Sequence, residues 1–211
     1  MPDISRVTYG DTMSARAATV LTIMLGATCG ALAASEDNPL SRAVPPKEGA
    51  SACYSRSYDA AHLKAHPRQV TQNVMLSLRY QQGQHIVRIM LQQKNRPAPL
   101  YIVGDCGWSD KANLGVDDKP LVKEFKATSG LDCNALSGLN SDEEGGDYPI
   151  DFAADGKSLT LYLVDQTSAW SGPDQKKKTV RMRLGSEDLI FRLDRADAAM
   201  CRPMETALKA K

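Results

Sequence analysis

From residue 70 onward, apolar and polar side chains alternate with a period of two. Val70, Gln72, Val74, Leu76, Leu78 and Tyr80 share one face, and Thr71, Asn73, Met75, Ser77 and Arg79 share the other. Such alternation marks a half-buried β-strand. Gln82-Gly83-Gln84 turns the chain. Val87, Ile89 and Leu91 then point inward while Arg88 and Gln92 point outward, which predicts a hairpin. Leu100 to Val103 is a third short strand, bounded by Pro97, Pro99 and Gly104.

The pattern weakens in the middle. Val122 to Ala127 reads as an edge strand, because Lys123, Glu124 and Lys126 discourage further pairing. Residues 130–146 are rich in Gly, Asp, Asn and Ser and read as loop. Alternation returns at Tyr148, Ile150 and Phe152. Asp155-Gly156 is a hairpin signal. Leu159, Leu161 and Leu163 then face inward, with Thr160 and Tyr162 outward. Ser171-Gly172-Pro173 and Lys176 to Lys178 mark a polar loop. A last hairpin is predicted with Val180, Met182 and Leu184 on one arm, residues 185–188 as turn, and Leu189, Phe191 and Leu193 on the other.

Ahead of this region, Asp59 is placed to cap a short helix over Ala60 to Ala65, which Pro67 ends. Ala196 to Met200 predicts a short helix in the tail. The whole is about seven or eight short antiparallel strands, each with one apolar face. An all-β fold follows: a small antiparallel β-barrel, with a β-sandwich as the alternative, carrying a short N-terminal helix and two disulfides. Sequential hairpins suit an up-and-down meander, and closure removes sticky edges.

The N-terminal 34 residues have a different character. Arg16 leads an apolar run of about 10 to 15 residues that ends in Ala31-Leu32-Ala33, the layout of a secretory signal peptide. Met13 offers a cleaner start than Met1, because Asp3 and Asp11 precede the basic residue. Cleavage is expected before Ala34 or Ser35. A membrane span is disfavoured, because Thr22, Gly26, Thr28 and Gly30 interrupt a run near the lower limit of about 17 residues. A lipid anchor on Cys29 would want Leu where Gly26 stands. Residues 35–52 hold three prolines and no periodicity, and predict a flexible lead-in. A single β domain is expected over residues 53–205, with 206–211 as tail. A periplasmic or secreted location follows, with no membrane span after cleavage.

Cysteine usage agrees with that compartment. Without Cys29, four cysteines remain and permit three connectivities. Placement favours Cys53–Cys201, tying the domain ends, and Cys106–Cys133, pinning the loop-rich middle. The net charge is +1. A near-neutral chain lacks the basic surplus that nucleic-acid binding needs, so nucleic acid is excluded as the main partner.

Candidate chemistry is sparse. His62 and His66 stand four apart on one helix face, but Pro67 ends that helix, and only His85 remains as a third imidazole. A surface or capping role fits them better than metal. Asn140, Asp142, Glu144 and Gly145 fall at the first, third, fifth and sixth positions of an apparent calcium loop, with Asp151 at the twelfth. Position one is not Asp, position twelve is not Glu, and Pro149 intrudes, so a solvated acidic loop is the better reading. Trp108, after Gly104-Asp105-Cys106-Gly107, and Trp170 are expected in loops. They could anchor a partner or close the ends of the barrel, and the second role is favoured. No G-x-S-x-G, Walker loop or dinucleotide fingerprint occurs. No catalytic residue, cofactor or metal is assigned.

Cys53-Tyr54, Tyr58-Asp59, His62-Leu63, His66-Pro67 and Gln69, with Phe191-Arg192-Leu193-Asp194-Arg195 before Cys201, resemble secreted bacterial proteins of unknown function. The resemblance implies an envelope location and nothing about activity. Three functions stay open. The first is a non-catalytic protein binding an envelope or extracellular macromolecule through its loops, as inhibitor or accessory factor. The second is a carrier of a small apolar ligand in the barrel. The third is an envelope-polymer hydrolase. A filled interior would favour the binder, an apolar lumen the carrier, and two facing carboxyls of raised pKa the enzyme.

Overall fold

Residues 37–109, 129–137, 144–163, 167–177, 179–182 and 184–209 are described by a computed structural model. The expected signal segment with Cys29, the strand expected at 122–127, Asn140 and Asp142 lie outside these residues. The strands are β1 (Ser51–Ser57), β2 (Thr71–Gln81), β3 (Gln84–Gln93), β4 (Leu100–Ser109), β5 (Gly130–Leu136), β6 (Glu144–Phe152), β7 (Ser158–Tyr162), β8 (Ser168–Ser171), β9 (Val180–Arg181) and β10 (Ile190–Ala196). The helices are α1 (Pro39–Ala43), α2 (Ala60–Ala65) and α3 (Ala198–Lys209). Going round the sheet, β1 to β7 follow in sequence order, β10 joins β7 back to β1, and β3–β4 pairing completes an eight-stranded antiparallel barrel. β8 and β9 are an excursion between β7 and β10, with β8 hydrogen-bonded to the start of β4.

Period two decides what the barrel holds. Val74, Leu76, Leu78, Val87, Ile89, Leu91, Leu159, Leu161, Phe191 and Leu193 all point inward and are buried, as their alternation predicts. Tyr54, Tyr148 and Phe152 add bulk to the same core. An eight-stranded barrel is just wide enough for its own side chains to fill. Each buried Leu or Phe contributes about 1.5–3 kcal/mol. At Gly104 a side chain could not enter: an added Cβ would meet the Tyr148 hydroxyl and the Asn134 carbonyl. Tyr148 reaches across β5 to fill the space that glycine leaves.

Turn chemistry sets the register. Gln82 and Gly83 both have positive φ, 53° and 83°, as a two-residue hairpin requires. Gly156 has φ 66°, and Asp155 accepts the Lys157 N–H at 2.9 Å to build the β6–β7 turn. Pro149 lies in β6 just beyond Ile150, the last residue paired with β7, and is paired with Asp132 of β5 on its other side.

Several expectations are corrected. The lead-in at 35–52 contains α1, capped by Asn38, and Leu40, Ala43 and Val44 are buried. α1 seals one barrel end: Ala43 meets Gly156, Arg195 Nη2 donates to the Ala43 carbonyl at 3.4 Å, and the His85 ring lies 3.2 Å from the Val44 carbonyl. The loop expected over 130–146 is largely β5 and the start of β6. Leu131, Cys133 and Ala135 do alternate inward, but the Asp and Asn between them mask the period. The last hairpin does not form as expected. β9 pairs with β8, while β10 is taken up between β7 and β1. Ala169 and Met182 from this excursion join the barrel core and close the end opposite α1. The 53–205 boundaries also shift, because β1 begins at Ser51 and α3 runs through residue 206 to Lys209, burying Leu208.

The phase of β2 slips at its start. A bulge between Thr71 and Asn73 turns Thr71 inward and leaves Gln72 half-buried. The Asp188 carboxylate, fully buried, repairs the interrupted ladder. Its two oxygens accept the N–H groups of Val70 at 2.8 Å and Thr71 at 2.9 Å.

Candidate functional site

The outer face of β1, β2, β3 and β4 carries a second apolar cluster. Cys53, Tyr101, Val103 and Trp170 are buried there against Cys201, Met204 and Leu208 of α3. Those helix residues recur at helical spacing and form one apolar stripe. Asp197 starts the helix by accepting the Ala199 N–H at 2.7 Å. The Cys53–Cys201 disulfide fixes α3 to the barrel wall.

Beside this stripe a cleft opens. β10 pairs with β1 only as far as Ala196 opposite Cys53. Beyond that point the chain leaves the wall for α3, and Ser51 and Ala52 keep β2 as their strand neighbour. The resulting cavity of about 250 Å³ is lined by Ser51, Ser77, Arg79, Arg202, Glu205 and Thr206, with Ala52, Ala198 and the disulfide at its floor and rim. The Ser77 hydroxyl donates to Glu205 Oε1, and Arg79 Nη1 donates to Glu205 Oε2 at 3.3 Å. Arg88, opposite Ser77 on β3, adds a third positive charge to this group. Burial pushes the Arg88 guanidinium below its ordinary pKa, Glu205 pulls it back up, and Arg79 pushes it further down. Arg79 Nε and Arg88 Nη1 are buried without a hydrogen-bond partner among the described residues. This polar group on the outer face was not singled out in the sequence, where Arg79 and Arg88 appear only as outward strand positions.

The predicted site residues scatter. Both disulfides form as placed: Cys53–Cys201 on the outer face and Cys106–Cys133 across β4 and β5 inside the barrel. Trp170 is fully buried on β8, and its indole N–H is shared between the carbonyls of Gln175 at 3.2 Å and Lys177 at 3.0 Å. It therefore has no surface to offer a partner. Trp108 stands on β4, half-buried against the barrel core, and not in a loop. Glu144 and Asp151 lie on one extended strand. Seven residues at about 3.3 Å each separate them by more than about 20 Å, so they cannot share a calcium ion. Asp151 instead sits on the outer face of β6, paired with Thr160.

The three histidines are accounted for by packing. His62 and His66 stack at 4.4 Å, which keeps their ring lone pairs parallel and not converging on one point. His62 Nε2 bonds Gln69 Oε1 at 2.9 Å, and Tyr58 flanks the same ring. No group of three or more His, Cys, Asp or Glu side chains able to hold a metal occurs among the described residues.

One carboxyl pair bears on the enzyme reading. Asp132 faces Pro149 in the register, so Asp151 is its diagonal neighbour on the same outer face. Burial raises the pKa of both. The cavity described above lies on the other side of the barrel.

No family model matches the chain, and neither a curated protein nor a solved structure does. Among the described residues, no helix is long and apolar enough to cross a membrane.

Proposed function

We propose that the chain is a non-catalytic binding protein of an envelope or extracellular compartment, engaging a macromolecular partner as inhibitor or accessory factor. The observation that carries this reading is the filled interior. Among the described residues, twenty-seven buried side chains pack into one continuous cluster inside the barrel and at its two seals. A core so occupied favours the binder over a carrier, whose drug-sized ligand needs about 300 Å³ or more. That weighs against the carrier. The outer cleft is a surface recess into which a partner can insert. The two disulfides suit a compartment where thiols oxidise.

The test compares two forms of the disulfide-bonded protein, immobilised and exposed to the extracytoplasmic fraction of the producing cell. A protein held by the native form and lost with Thr206→Trp, which blocks the cleft, supports the proposal. Native mass spectrometry provides the opposing outcome. A lipophile bound one to one in the purified protein would establish the carrier instead.

A further inference from the structure

We infer that the cleft between α3 and β1–β2 receives a carboxylate, contributed by an acidic side chain or a chain terminus of a protein partner. The inference rests on the binding reading above and names the chemistry of its site.

Three observations converge. The cavity lining carries two guanidinium groups, Arg79 and Arg202, against one carboxylate, Glu205. The excess at the lining is one positive charge, and Arg88, opposite Ser77 on β3, adds another, so the site favours an anion. Second, Arg202 is exposed and has no ion-pair partner among the described residues, so its fork is open to a ligand. Third, the site already shows that it accommodates this chemistry. Glu205 enters from α3 and takes one bond from the Ser77 hydroxyl and one from the Arg79 guanidinium. A second carboxylate entering between Arg79 and Arg202 would meet the same kinds of donor, with the hydroxyls of Ser51 and Thr206 beside it. The cavity of about 250 Å³ holds one short side chain with part of its backbone. It does not hold an extended segment.

The site is held open by covalent structure. Cys201 is bonded to Cys53 within the lining itself. Arg202, Glu205 and Thr206 follow on the same helix, so their distance from β1 and β2 is set before any ligand arrives. Such preorganisation lowers the ordering cost of binding.

The experiment titrates the isotope-labelled, disulfide-bonded protein with three N-acetylated tripeptides and inorganic phosphate, reading backbone amide shifts. Ala-Glu-Ala amide carries only a side-chain carboxylate. Ala-Gln-Ala with a free C-terminus carries only a terminal one. Ala-Gln-Ala amide carries neither. The inference requires saturable shifts at Ser51, Ser77 and Thr206 with at least one acidic peptide, and none with the neutral peptide. Whichever acidic peptide binds more tightly identifies the source of the carboxylate. Arg202→Gln, at an exposed position, should weaken that binding threefold or more while leaving the rest of the spectrum in place. Absence of saturable shifts, insensitivity to Arg202→Gln, or phosphate binding tenfold tighter than either peptide would each overturn the carboxylate assignment. The partner-capture comparison with Thr206→Trp is independent of these outcomes. Loss of the partner there without peptide binding would retain the binding protein and discard only this ligand chemistry.

Discussion

The inside of the barrel and its outer face under α3 are both built on β1, β2 and β3, yet they hold together differently. Inside, Val74, Leu76, Leu78, Val87, Ile89 and Leu91 mesh into an apolar core, and the Cys106–Cys133 bridge joins two adjacent strands already in register. Outside, the same strands present Cys53, Ser77, Arg79 and Arg88, and cohesion depends on a helix arriving from the far end of the chain. The inner bridge spans 27 residues and the outer one 148. The interior is thus a folding device, stabilised by local meander pairing. The outer face is a place where charge and hydroxyl groups are gathered beside a cleft by one long-range tether.

Breaking the two bridges should expose that difference most strongly. In the chain-entropy model, losing the longer closure costs about 5 kcal/mol and losing the shorter one about 3.5 kcal/mol. Cys53→Ser with Cys201→Ser should therefore lower the denaturation midpoint more than Cys106→Ala with Cys133→Ala. It should also raise hydrogen exchange selectively in α3. Equal effects from the two pairs, measured by urea titration, would mean that α3 is held by its apolar stripe alone.

Single truncations come next in size. Leu161 is fully buried in β7, and Leu161→Ala should cost about 2–5 kcal/mol. Tyr162, one residue on, belongs to the outward phase yet is only 6% exposed. Its alanine variant should cost a comparable amount. Arg192 is outward on the neighbouring β10 and exposed, and Arg192→Ala should change stability by less than about 0.5 kcal/mol. If Arg192→Ala proves more damaging than Leu161→Ala, inside and outside have been exchanged along these strands.

The smallest effect concerns the seal at the α1 end. Burial lowers the His85 pKa, and the bond to the Val44 carbonyl offsets part of that shift. Below about pH 6.5 the unfolded chain takes up a proton that the folded ring resists. The stability tied to a neutral His85 is therefore complete above that pH and lost as pH falls toward the lowered folded value. His85→Gln should flatten this part of the stability–pH curve, as followed by thermal melts between pH 7 and 5. An unchanged slope would assign the acid sensitivity to other groups.

The contrast also explains what was legible in the sequence. β2, β3 and β7 declare themselves through Val, Ile and Leu at every second position, because each needs only its own pattern and a nearby turn. β5 does not, since Cys133 and Ala135 are small and Asp132 and Asn134 separate them. Its inward face becomes evident only when Tyr148 leans over Gly104 from the next strand but one. The ladder repair by Asp188 joins positions 117 and 118 residues apart. The cleft is still less legible. Arg79 meets Glu205 across 126 residues, and an outward arginine in a strand ordinarily meets solvent. The disulfide pairing was readable because placement at the domain ends limits the choices. The charged group that this pairing brings together was not.

The central claim is that ligands meet the outer cleft and not the barrel interior. Decanoate tests both regions at once, since it carries a carboxylate for the one and an apolar tail for the other. A titration followed by amide and methyl shifts should perturb Ser51, Ser77 and Thr206, leave Leu76, Ile89 and Leu161 unmoved, and bind no more tightly than a short carboxylate. Saturable shifts at Leu76, Ile89 and Leu161, with affinity rising with tail length, would contradict it.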